Sequence, residues 1–200
     1  RHPRRGVCCP RGLIPGAAPV PLPEIRTARV VHMFVLGIDP GLTRCGYGVV
    51  ERLSARRNRA VAAGVLRTDP ADDIPVRLAE LQAEVRGLLD EYRPDAVAIE
   101  RLLFQVNVRT GMQVGQAAGV VMAEAASSGC RVALYSPNEV KSAVAGWGGA
   151  DKRQMEQMVR TQLGIDQPLR PVDASDAVAV ALCHLAMVPM ADAVARRGSS

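Results

Sequence analysis

From residue 33 onward the chain is built of short apolar blocks that end on acids or turns. Met33-Phe-Val-Leu-Gly-Ile-Asp39 is an apolar run closed by an acid and a Pro40-Gly41 turn. Gly46-Tyr-Gly-Val-Val-Glu51 and Ala60 to Arg67 follow with the same character, and the pattern predicts three successive strands. The period then changes. Leu78, Leu81, Val85, Leu88 and Tyr92 recur at three and four, with Pro75 near the start and Arg93-Pro94 at the end, which predicts a helix over 75–91. Asp95-Ala-Val-Ala-Ile-Glu100 reads as a buried strand, again closed by an acid. Beyond it the spacing predicts a helix at 108–128, a strand from Arg131 to Tyr135, and helices at 137–145, 151–163 and 174–187. This order, without an internal repeat, implies an α/β fold. Its sheet is mixed, three antiparallel strands followed by parallel ones, with helices on both faces.

The first 32 residues break the pattern. They hold six prolines and no helical or strand period, so residues 1–32 are expected to be a disordered leader that need not belong to the native protein. A secretory signal would need an unbroken apolar core, and Leu13 to Leu22 is interrupted by three prolines. An organellar transit peptide remains the alternative for so Arg-rich and acid-poor a segment. Residues 33–188 form the expected domain and 189–200 a flexible tail. The net charge of +5 suggests a nucleic-acid partner, but the leader alone carries six arginines and one acid. The surplus therefore belongs to the leader, and DNA binding by the body must rest on where its charges are placed. Five cysteines at no metal-like spacing, and no apolar run long enough to span a bilayer, point to a reduced, cytoplasmic chain with no membrane partner.

The candidate chemistry lies in the acids. Asp39 and Glu100 each close an apolar strand, at the carboxyl end where open α/β sheets place their ligands. Asp173 and Asp176 are three apart at the start of the last helix, on one face, with Pro171 before them. If that helix packs on the sheet, four carboxylates converge. Unpaired, they would repel one another, so such a cluster calls for a cation. An all-oxygen donor set selects Mg²⁺ or Mn²⁺, and two such ions about 3.5–4 Å apart suit in-line displacement at a phosphodiester. Each acid also has a plainer reading. Asp39 can open an Asx-turn, Asp173 can cap a helix, and Glu100 can pair with Arg101 or Arg109.

Taken together, Gly37-Ile-Asp-Pro-Gly-Leu-Thr-Arg-Cys-Gly-Tyr-Gly48, Ala98-Ile-Glu100, Gly115-Gln-Ala-Ala-Gly119, Val140-Lys-Ser-Ala-Val-Ala-Gly146, Ala150-Asp-Lys152 and Asp173-Ala-Ser-Asp-Ala-Val-Ala179 resemble the RuvC Holliday-junction resolvases, which share the ribonuclease H-like fold. The resemblance is collinear from about Met33 to Val188. It implies a structure-specific endodeoxyribonuclease of recombination and DNA repair that nicks four-way DNA junctions symmetrically, leaving 5′-phosphate and 3′-hydroxyl ends. It places the family's four metal-holding acids on Asp39, Glu100, Asp173 and Asp176, with two ions per active site. Its two lysines fall on Lys141 and Lys152, the only lysines beside 23 arginines; on their own, both also read as surface lysines. The resemblance further implies a homodimer that works with the RuvA–RuvB branch-migration complex.

One position departs from the family. Its stacking aromatic, three residues after the glutamate, falls on Leu103, with Phe104 next to it, so either a wedge at Leu103 or a shifted Phe104 can take the role. Phe104 can equally be core. Arg44, Arg109 and Arg153 are, with the lysines, candidates for phosphate contacts. In the second helix Gly111, Gly115 and Gly119 lie four apart, which implies close approach of another backbone, either a second copy of the chain or the helix's own sheet. Three rival readings stand beside the resolvase: a catalytically weak junction-binding scaffold, a ribonuclease H-like nuclease of other specificity, and an actin-like or sugar-kinase ATPase half, for which 200 residues leave no second half.

Overall fold

The computed structural model describes residues 32–55, 57–101 and 108–197, the side chains of 108–109 and 189–197 excepted. Three strands open the fold: β1 (Met33–Asp39), β2 (Arg44–Ser54) and β3 (Arg57–Arg67). They run antiparallel, with Asp39 opposite Gly46 at one end of the β1–β2 ladder. Helix α1 (Ile74–Tyr92) returns the chain to β4 (Ala96–Glu100), which lies parallel to β1. Helix α2 (Val108–Ser127) leads to β5 (Arg131–Tyr135), parallel to β4. The sheet order is β3-β2-β1-β4-β5, the mixed sheet that the pattern predicts. Helices α3 (Pro137–Ala145), α4 (Lys152–Leu163) and α5 (Val172–Arg197) follow.

Alternation along the strands sorts side chains onto two faces. Leu36 and Ile38 of β1 and Val97 and Ile99 of β4 pack with Leu81, Val85 and Leu89 of α1 and with Ala117, Val121 and Ala125 of α2. Val35 and Ala98 point the other way, into a layer formed by α5 and by Val140, Val144 and Val159 of α3 and α4. Asp39 and Glu100 share the parity of Val35 and Ala98, so both project toward α5. Two helix starts are stapled by reciprocal capping, Ser136 with Glu139 on α3 and Asp151 with Gln154 on α4. A buried Glu124 on α2 accepts from Arg86 Nε at 2.7 Å and Gln82 Nε2 at 2.8 Å, which ties α2 to α1.

Three glycines bring α5 flush onto the sheet. A Cβ on Gly37 would stand 2.7 Å from the amide nitrogen of Ala181, one on Gly48 2.9 Å from that of Val178, and one on Gly46 2.7 Å from the carbonyl carbon of Asp173. At these three positions no side chain fits between the strands and the helix, so the backbones meet directly there. Helix α5 also runs on past the expected end at 187, so the segment expected as a tail is helical through Arg197. Pro189 lies inside it and has no N–H to offer the carbonyl four residues back. That carbonyl, Leu185 O, accepts instead from the Arg52 guanidinium of β2. No helix among the described residues is long and apolar enough to cross a membrane.

Candidate active site

Asp39 and Glu100 end adjacent parallel strands, one residue past the Ile38–Ile99 pair. Asp173 stands in the first turn of α5, its backbone above Gly46, the residue directly opposite Asp39. Asp176 follows one turn later on the same face. Asp39 feels the charge of the other three acids. The Asp39 carboxyl is driven up to about 7 by burial first, then by the charges of Glu100, Asp176 and Asp173. When protonated, the Asp39 carboxyl donates a hydrogen bond to the Glu100 carboxylate. Glu100 is itself raised, by burial and by Asp176, against the pull of its hydrogen bond from Asp39 and of Lys141. Asp176 is raised by burial and Asp173, against the pull of Lys152. Asp173 departs in the opposite direction because the Arg44 guanidinium donates to it.

The plainer readings of the single acids fare differently. Glu100 does not turn to Arg101, whose guanidinium donates to Leu134 O at 3.4 Å. The carboxylates are grouped rather than closed: among the described residues, no three acidic, histidine or cysteine side chains gather tightly enough to hold a metal ion as they stand. A donor set made of carboxylates, with one acid forced toward neutrality, fits a hard divalent cation.

The cleft beside the acids, about 320 Å³, is lined by Glu100 and Asp176 together with Lys141 and Lys152. Each ammonium favours the charged form of one acid, Lys141 that of Glu100 and Lys152 that of Asp176. Arg153, next to Lys152, shares a smaller hollow with Asp176. A larger hollow of about 700 Å³ follows the outer side of α4 and is lined by none of the four acids. Leu103 and Phe104 lie outside the described residues. Arg109 falls in the first turn of α2, its side chain outside the description.

Sequence reasoning missed Arg77. It is buried, 4 % exposed, and donates to Thr68 Oγ1 at 3.0 Å and Thr43 Oγ1 at 2.7 Å. Thr68 Oγ1 in turn donates to Leu42 O at 2.6 Å. These bonds pin the 40–43 turn between Asp39 and Arg44. The available signal was an arginine four residues before Leu81 of the apolar stripe of α1.

The glycines of α2 do not face the chain's own sheet. A Cβ on Gly111 or Gly119 meets nothing within 4 Å, and Gly115 is exposed. Met112, 63 % exposed, stands on the same helix, and the edge strand β5 leaves Val132 and Leu134 partly bare.

Comparison with known proteins agrees with this geometry. The family model described as crossover junction endodeoxyribonuclease RuvC matches residues 35–184. The protein of that name from Salinispora arenicola is 52% identical over 153 residues, 76% of this chain and 87% of its own. The structure of Thermus thermophilus RuvC superposes with a TM-score of 0.74 at 38% identity, covering 80% of this chain and 97% of that one. The same protein in complex with a Holliday junction substrate gives 0.77 at the same identity and coverage. A family match across most of the chain, and a relative sharing half of the aligned residues, place it: the chain belongs to the RuvC family of crossover junction endodeoxyribonucleases.

Proposed function

We propose that Asp39, Glu100, Asp173 and Asp176 hold two divalent cations, Mg²⁺ or Mn²⁺, and that a homodimer of this chain uses two such sites to nick opposed strands of a four-way DNA junction. The family makes the chain a structure-specific endodeoxyribonuclease that depends on divalent metal. The observation that supports the site assignment is the placement of Asp39 and Glu100 at the ends of adjacent strands with the first turn of α5 seated above Gly46, opposite Asp39, so that the charges of the other three acids raise Asp39. Bound cations supply stabilisation of the developing phosphate charge and an ionised water.

The chain's own residues do the rest. The strand ends of β1 and β4 and the first turns of α5 hold the carboxylates on one side of the cleft. Lys141 and Lys152 flank it with compact ammonium groups that neutralise the oxygens of the attacked phosphate. The 5′-phosphate and 3′-hydroxyl ends follow when a water oxygen attacks phosphorus in line with O3′: the P–O3′ bond breaks, O3′ leaves as the protonated hydroxyl, and the phosphate stays on the 5′ side. Arg44, Arg109 and Arg153 are proposed to bind neighbouring phosphates, and Leu103 or Phe104 to hold the opened crossover.

A four-way junction has two-fold symmetry, and paired nicks need two sites related by a dyad. The α2 glycines, exposed at Gly115 and open beyond the Cβ positions of Gly111 and Gly119, with Met112 on the same helix, support that face as the one joining two copies. From the family, the chain is proposed to act in the cytoplasm with the RuvA–RuvB branch-migration complex, residues 33–188 forming the nuclease unit.

The test is cleavage of a mobile four-way junction, a fork and a linear duplex with Mg²⁺ and Mn²⁺ in parallel. Asp39→Asn is expected to lower junction cleavage at least 10²-fold while leaving junction binding intact. Wild-type cleavage by that variant overturns the site assignment, and equal cutting of all three substrates overturns the junction specificity.

A further inference from the structure

Trp147 stands outside the mechanism above, and it is the chain's single tryptophan. It is 54 % exposed. It sits on the turn joining α3, which carries Lys141, to α4, which opens with Lys152. A large aromatic surface is ordinarily withdrawn from water, so an indole displayed beside a substrate cleft asks for a partner. The turn that displays it is well defined. Gly146 ends α3 at φ 85°, and Asp151 caps α4. A Cβ on Gly148 would come 3.3 Å from Ser142 Oγ and 3.7 Å from Asn138 O, so the turn lies back against that flank of α3. Asn138 and Ser142 stand about 60° and 100° round the helix from Lys141, while Pro137 and Val140, on its other side, line the cleft with Glu100 and Asp176. Lys141 thus separates the turn from the carboxylates. The indole itself rests on Gly149, where a Cβ would come 2.8 Å from Trp147 Cε3.

We propose that Trp147 packs its indole on a nucleotide of the cut strand, adjoining the phosphate that Lys141 and Lys152 flank, and so positions that strand for cleavage. This rests on the active-site reading above. An aromatic face on the turn that joins the two lysine-bearing helices matches a strand that alternates bases with phosphates, and stacking of this kind accepts any base. The Gly149 seat orients the ring in advance, which reduces the ordering needed on binding.

A single tryptophan reports on itself. The full chain carrying Asp39→Asn is titrated with a fluorescein-labelled four-way junction in Mg²⁺, anisotropy of the label following binding. Tryptophan emission is followed in a parallel titration with unlabelled junction. Emission is expected to fall as binding saturates. In the otherwise wild-type chain, Trp147→Ala should lower kcat/KM for junction cleavage roughly tenfold, within the range for one lost stack, with an unchanged melting temperature, and Trp147→Phe should restore most of it. Unchanged emission at saturation, or an alanine variant that cuts at the wild-type rate, overturns the inference while leaving the acidic site untouched. Absence of binding in the anisotropy channel overturns the junction-binding reading, and this inference with it.

Discussion

Asp39 carries a carboxyl that burial and three neighbouring carboxylates push to about 7 from an ordinary 3.8. Between those values the folded, metal-free protein keeps a proton that the unfolded chain has lost. Stability therefore falls as pH rises through that window. In a chelator, the melting temperature is expected to drop by several degrees between pH 5 and pH 8, each kcal/mol being worth about 2–4 °C at this length. Asp39→Asn should remove most of that slope and raise the melting temperature at pH 8. Calorimetry of both proteins across the range checks this, and identical profiles would exclude Asp39 as the source. Arg44 holds Asp173 in the opposite sense, so the two ends of the acid group respond differently to pH.

Helix α5 places two of the four acids, and glycines decide how closely it lies. Gly37→Ala would force a methyl against the backbone of Ala181, in an interior that relaxes little. It is expected to cost about 1–3 kcal/mol or more of unfolding free energy and to lower cleavage strongly by lifting Asp173 and Asp176 from β1. Gly87, exposed in mid-α1 with nothing near its Cβ position, is the control. Gly87→Ala should add roughly 0.5–1 kcal/mol and leave cleavage unchanged. Denaturant unfolding and junction cleavage on the two variants separate helix seating from a general intolerance of substitution. The Arg52 guanidinium on Leu185 O shows the same element stabilised where Pro189 interrupts its ladder.

As a whole, the molecule presents an acidic cleft on one face of its sheet and an unfilled glycine surface on the helix across from it. Gly119→Arg places a charged side chain where nothing lies within 4 Å in one chain. The fold should survive. Sedimentation is expected to change from dimer to monomer, and paired nicks to give way to single ones. A Gly119→Arg protein that remains dimeric would move the interface elsewhere. Removing residues 1–32 takes away the whole net charge of +5, yet the cations that reach the cleft, Lys141 and Lys152, remain. Junction cleavage by the shortened chain is expected within about twofold of the full chain, since the cations that line the cleft belong to the part that is kept and diffuse charge is screened by salt. Rates measured at low and high salt test this.

Strand and helix order was legible because each element announces itself locally: apolar blocks closed by acids, periods of three and four, prolines at helix starts. Asp39 and Glu100 stood out for the same reason, as acids ending apolar strands, whereas Lys141 and Lys152 were singled out through the resemblance to the family and on their own also read as surface lysines. Local pattern says nothing of which surfaces meet, and there the tertiary structure decided. It brought Asp173 to Arg44 across 129 residues of sequence, seated α5 on a glycine track, and turned the α2 glycines outward rather than onto their own sheet. It buried Arg77 under the turn behind Asp39, a residue outside the stripe of threes and fours read along α1. Trp147 carries no periodic signal in the sequence; its display follows from the packing of one turn against α3 and of its ring on Gly149. A sequence encodes periodicity and turn chemistry residue by residue, whereas the charge cluster exists only because packing forces like charges together in a shielded place.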